Sequence, residues 1–159
     1  MATDRFVGNS FFMAMLPPTK TNQEKGINFN ARKVYTTAAI RDVEAKFDAH
    51  LFRHRPSEPA TGAIRLEIYW FYPPTGKHKS GEWKTTKPDV DNAVKTLIDR
   101  MTRLGFWKDD SQIAALTVSK SYLDVPGVFV EYQQMDLSAV KSAERFFERR
   151  NQQWNGSDI

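Results

Sequence analysis

Apolar residues recur at Val90, Ala93, Val94, Leu97, Ile98, Met101 and Leu104, the spacing of one helical face. Gly105 follows the last of them, where a left-handed C-terminal cap is expected. A second stripe, Ile40, Val43, Phe47 and Leu51, predicts a helix capped by Thr36 or Thr37 and running to about Phe52. The clearest strand is Ala63 to Tyr72, where Ile64, Leu66, Ile68 and Trp70 alternate with Arg65, Glu67, Tyr69 and Phe71 before Pro73-Pro74 stops it. Phe11 to Leu16 is continuously apolar and reads as a buried strand closed by Pro17-Pro18. Ile113 to Leu123 and Val128 to Tyr132 predict two more strands, joined as a hairpin through Asp124-Val125-Pro126-Gly127. The polar stretch from Thr19 to Lys33 reads as a loop. Leu137 to about Trp154 has Val140, Ala143 and Phe147 on one helical face.

These elements give the order β-α-β-α-β-β-α. The expected fold is mixed α/β (α+β): a single domain with a mixed sheet of about four strands and helices packed on it. Residues 1–135 would form the domain, with 136–159 as a C-terminal helical tail. A chain of 159 residues is long enough to bury a core as one unit.

Composition narrows the function classes. There are no cysteines, so disulfides and thiolate metal sites are excluded. His50, His54 and His78 are too scattered for a zinc site. No apolar run reaches the roughly 18 residues of a membrane span, and the N-terminus lacks a signal-peptide layout; a cytoplasmic location is the expectation. The net charge of +4 fits a polyanionic partner. Its placement says more. Lys77, Lys79, Lys84 and Lys87 crowd the stretch from Gly76 to Lys87 against one acid, Glu82, with His78 and Trp83 between them. Lysines neutralise phosphates, and an exposed tryptophan can stack on an unpaired base.

That basic stretch leads into Asp89 and Asp91, at the mouth of the helix with Gly105 at its end; Asp109 and Asp110 lie just beyond it. A chain that reverses there could bring Asp109 or Asp110 beside the first pair. Clustered carboxylates without thiols suit a hard cation such as Mg²⁺, and the chemistry implied is metal-assisted attack on a phosphate ester. Each residue also has a plainer role. Asp89 is a natural N-cap, Asp91 a favourable first-turn acid, and Lys95 an i,i+4 partner for Asp91. Asp99 would simply pair with Lys95 or Arg103. Asp109 and Asp110 could be turn residues, and in a strand their side chains would point to opposite faces.

The run Lys87-Pro88-Asp89-Val90-Asp91-Asn92, then Lys95, then Asp109-Asp110-Ser111-Gln112 resembles the signature of the RusA family of Holliday junction resolvases. Leu16-Pro17-Pro18-Thr19-Lys20-Thr21-Asn22 is similar to that family's opening, so the resemblance extends over roughly Phe11 to Tyr132. It implies Asp89, Asp91 and Asp110 as metal-binding acids and Lys95 as the catalytic lysine. It also implies Mg²⁺ as cofactor, with Mn²⁺ as a plausible substitute, and a homodimer making paired, symmetric nicks in four-way DNA junctions. Lys77, Lys79, Trp83, Lys84 and Lys87 are the expected DNA contacts. Two other readings fit the residues less well. A non-catalytic branched-DNA-binding protein with a vestigial site would have no use for carboxylates facing phosphate. A calcium loop starting at Asp89 fails because Ala93, Val94 and Arg100 stand where an oxygen ligand, Gly and Glu are required.

Overall fold

The computed structural model describes residues 9–19, 26–28, 33–35 and 38–135. Its elements are β1 (Asn9–Met13), β2 (Gly26–Asn28), β3 (Lys33–Tyr35), α1 (Ala38–Leu51), β4 (Ile64–Tyr72), α2 (Val94–Arg103), β5 (Ile113–Tyr122) and β6 (Gly127–Gln134), with 3₁₀ turns at Phe52–His54 and Asp110–Gln112. The expected helix from Leu137 and the capping threonines 36 and 37 lie outside the described residues.

The main sheet has four strands in the order β1-β6-β4-β5 and is mixed, as expected. β4 is its centre because it is the most apolar strand: Ile64, Leu66, Ile68, Trp70 and Tyr72 are all buried on one face. Onto that face pack Phe47 and Leu51 of α1 and Leu97 and Met101 of α2, with Phe106 and Trp107 closing one end. Burying such side chains contributes roughly 1.5–3 kcal/mol each. Arg100 clamps the two helices through a fork to Asp48, with Nε at 2.6 Å from Oδ1 and the second bond from Nη2 to Oδ2. Gly105 has φ of +80° and its N–H donates to the Thr102 carbonyl at 3.1 Å, which is the cap expected at the end of the apolar stripe.

Three expectations need correction. β5 and β6 are not a hairpin: β4 lies between them, parallel to β5 and antiparallel to β6. Both flank the most apolar strand, and their connection passes over its end, where the Leu123 N–H donates to the Tyr72 carbonyl at 2.9 Å. β1 is not buried throughout. It is an edge strand with Phe11 and Met13 inward and Phe12 outward, and it ends at Met13, where a tight turn follows. The polar stretch from Thr19 to Lys33, read as a loop, contains β2, which pairs with β3 at its end as a separate two-stranded sheet, Ile27 opposite Val34.

Candidate nuclease site

Asp89 and Asp91 stand at a turn ahead of α2, not in the helix. The Asn92 N–H donates to the Asp89 carbonyl and the Val94 N–H to the Asp91 carbonyl, both at 3.2 Å, and α2 begins only at Val94. Ala93 stands at the helix N-cap and makes no side-chain cap. The capping role considered for Asp89 is therefore not the one it performs. Both carboxylates are exposed, and among the described residues neither has an ion-pair or hydrogen-bond partner.

The downstream acids divide their work. They occupy a 3₁₀ turn, not the strand. Asp109 caps that turn: its carboxylate accepts from the Ser111 N–H at 2.8 Å, and Gln112 Oε1 accepts from the Asp109 N–H at 3.1 Å. The Ser111 bonds hold the Asp109 carboxyl below its ordinary value. Asp110 instead turns toward α2, where the Lys95 ammonium donates to its Oδ2. Lys95 also bonds Asp99 Oδ1 at 2.7 Å. Asp110 first and Asp99 second hold the Lys95 ammonium well above the ordinary lysine range. A cleft of about 350 Å³ opens beside these groups, lined by Asp99, Arg100, Arg103, Asp109 and Asp110 among others; Asp89 and Asp91 are not in its lining.

Among the described residues no three Asp, Glu or His side chains gather as a ready-made cation cage. The donors available from Asp89, Asp91 and Asp110 are all carboxylate oxygens, the set that Mg²⁺ takes.

The basic stretch before Asp89 folds against the exposed edge of β5. The Gly81 N–H donates to the Tyr122 carbonyl at 2.8 Å, the Tyr122 N–H to the Glu82 carbonyl at 2.9 Å and the Lys84 N–H to the Lys120 carbonyl at 3.1 Å. Lys84 is drawn inward: its Nζ donates to Thr86 Oγ1 at 2.7 Å and lies 5.0 and 5.1 Å from the ring centroids of Tyr72 and Tyr122. Lys77, Lys79 and Lys87 are exposed, with no side-chain partner among the described residues. Trp83 is 71% exposed although its main chain bridges Ser121. Lys120, not singled out from the sequence, donates to the carbonyls of Thr86 at 2.7 Å and Pro88 at 2.5 Å. Its signal was a lysine in register with Leu116, Val118 and Tyr122, opposite buried Trp70.

The family model described as Endodeoxyribonuclease RusA matches residues 16–133, well over half of the chain. The chain belongs to the RusA family. It is thus placed among the endodeoxyribonucleases, the class of enzyme expected from the acids and the lysine. The chain is 35% identical over 104 residues to the crossover junction endodeoxyribonuclease rusA of Lactococcus phage r1t, a match covering 63% of this chain and 78% of the phage protein. It is 37% identical over 95 residues to the uncharacterized protein YqaN of Bacillus subtilis (strain 168), covering 52% of this chain and 66% of that protein. All the acids and Lys95 of the site lie inside the matched region. Among the described residues no helix of this RusA-family chain is long and apolar enough to cross a membrane.

Proposed function

We propose that this RusA-family chain is a Mg²⁺-dependent, structure-specific endodeoxyribonuclease that resolves four-way DNA junctions by paired, symmetric nicks. The observation that carries this reading is the Lys95 ammonium seated on the Asp110 carboxylate, which links the turn after α2 to the helix turn following Asp91. The phage relative's description as a crossover junction endodeoxyribonuclease supports the choice of substrate. Asp89, Asp91 and Asp110 would hold the cation, with Mn²⁺ as a substitute. When bound, the ion supplies Lewis-acid stabilisation at the phosphate and a lowered water pKa.

The chain's own groups do the rest. Lys95 has a second anchor in Asp99, so its charge stays at this end of the cleft when Asp110 turns to a cation. There it stabilises the negative charge that develops on the phosphate. Lys77, Lys79 and Lys87 neutralise backbone phosphates, and Trp83 offers a stacking face at the branch point. Nicks at symmetric positions need two sites related by a two-fold axis, hence a homodimer; a cytoplasmic location accords with a DNA substrate.

The test is cleavage of a synthetic four-way junction against linear duplex, with Mg²⁺ present or withheld, for wild type and Asp91→Asn. The expected result is junction-selective, Mg²⁺-dependent paired nicking, abolished by Asp91→Asn while junction binding persists or tightens. Wild-type cleavage by folded Asp91→Asn would remove this carboxylate from the site, and equal cutting of linear duplex would remove the junction.

A further inference from the structure

We propose that Lys120 is a positioning residue of the nuclease site, clamping the main chain that presents Asp89 and Asp91. This rests on the reading above that those two acids bind the cation. Lys120 lies on β5 at a position whose neighbours on the same face, Val118 and Tyr122, pair with Ile68 and Tyr72 of the buried face of β4. An inward lysine on an edge strand needs a reason, because its ammonium must find acceptors. Here it finds two backbone carbonyls, those of Thr86 and Pro88.

Those two bonds complete a sequence of anchors. Residues 81–84 pair with the β5 edge through main-chain bonds, the last from the Lys84 N–H to the carbonyl of Lys120 itself. Among the described residues the approach makes no further main-chain bond to β5 between Lys84 and Asp89, and Pro88 has no N–H to offer. From Thr86 to Pro88 the hold is by side chains: the Tyr122 hydroxyl lies 3.2 Å from Thr86 Oγ1, and Lys120 bonds the carbonyls of Thr86 and Pro88, the latter being its contact alone among the described residues. The next residue is Asp89. One residue on the sheet thus holds the approach to the acids through both its main chain and its side chain, and it touches neither carboxylate.

A ligand set on a turn is only as good as the support that fixes the turn, and the loss of supporting bonds typically lowers metal affinity about 10–100-fold. Lys120→Met keeps the length and apolar stem but removes the donors. Lys120→Arg keeps charge and donors on a head of different shape.

The experiment is Mn²⁺ binding to the full-length protein without DNA, by calorimetric titration, alongside thermal unfolding, for wild type, Lys120→Met, Lys120→Arg and Asp91→Asn. Lys120→Met is expected to weaken Mn²⁺ binding about 10–100-fold, with Lys120→Arg between it and wild type. If Lys120→Met lowers the melting temperature but binds Mn²⁺ as wild type does, the residue is a plain structural anchor and the proposal is overturned. Should Lys120→Met fail to fold, Lys120→Gln, a shorter polar side chain that cannot reach both carbonyls, decides in its place, and wild-type affinity in that variant overturns the proposal. Undiminished Mn²⁺ binding by Asp91→Asn would instead overturn the reading of the acids on which the proposal rests.

Discussion

Lys95 and Asp110, fifteen residues apart in the chain, are joined by an ion pair that spans from the first turn of α2 to the 3₁₀ turn beyond its end. The pair is partly exposed, with 60% of the lysine side chain and 40% of the aspartate side chain accessible. Exposed pairs contribute about 0–1 kcal/mol to stability. A bond so weak in stability has its interest in placement: it puts a fixed positive charge on the acid that the family signature selects.

Lys95→Ala is therefore expected to leave the fold nearly unchanged and to reduce cleavage of a four-way junction by roughly 10²–10³-fold, the usual cost of losing a preorganised electrostatic contact. Lys95→Arg should recover only part of the rate, because a planar guanidinium is a poor substitute for a point charge. The pH dependence follows from the raised lysine value. A cation whose folded value is raised keeps its full charge and its favourable contribution below the ordinary lysine value, losing them only above it. Between about pH 6 and 9 the rate should therefore show no loss attributable to Lys95. Single-turnover rates across that range, with melting temperatures, check both points. A Lys95→Ala enzyme cutting within a few-fold of wild type would leave only the surface ion pair.

The exposed lysines of the approach divide from the half-buried Lys84. Replacing Lys77, Lys79 and Lys87 by Ala should weaken junction binding and flatten its dependence on log salt concentration, each lost phosphate contact removing about 0.9 from the slope. Lys84→Ala should instead lower stability, since its ammonium lies over Tyr72 and Tyr122 and bonds Thr86. Binding isotherms at several salt concentrations, with melting temperatures, separate the two. An unchanged slope in the triple variant would assign these lysines to solubility alone.

The helices and β4 were legible in the sequence because their period is set by one buried face, and Gly105 marks the end of α2 by its backbone. The candidate acids and Lys95 stand out in the sequence because their spacing carries a specific signature. The pairing of β5 and β6 was not legible. A short turn between two strands looks the same whether they pair or straddle a third, and only the apolar weight of β4 decides it. Lys120 was missed, and the inward turn of Lys84 was not foreseen, for a related reason. Their roles depend on which strand edge the approach folds against, and that is a contact between distant parts of the chain. The division of labour between Asp109 and Asp110 likewise needed the 3₁₀ turn, which puts one in a cap and the other on Lys95.

Gly127 is set by space. A Cβ there would enter the ring of Phe12 and come within 2.8 Å of the Met13 carbonyl. Gly127→Ala must push β1 away from β6 and is expected to cost about 1–3 kcal/mol, the range for overpacked sites. Phe12→Ala combined with it should restore part of the loss by freeing the ring's space, but not all, because the Met13 carbonyl remains. Urea unfolding of the three variants measures the coupling. Additive effects would show that the ring is not the obstacle.

Glu131 and Glu67 face each other across β6 and β4 on the outer side of the sheet. Directly opposed like charges destabilise a sheet. Burial first, and Glu67 second, push the Glu131 carboxyl above its ordinary value. Glu67 has relief in Tyr69, whose hydroxyl donates to it at 2.6 Å; Glu131 has no such donor among the described residues. An acid whose value is raised on folding is penalised only when ionised. The penalty is absent below its unfolded value, where both states are protonated, and complete above the folded one. Glu131→Gln should thus stabilise the protein by about 0.2–1 kcal/mol at neutral pH, and the gain should shrink as the pH falls through the carboxylate range. Glu67→Gln should gain less, because it weakens the bond from Tyr69. Unfolding free energies at pH 7 and near pH 4 test the sign. A gain of equal size at both would point to packing, and a loss at pH 7 would show that Glu131 is better accommodated than its opposed neighbour implies.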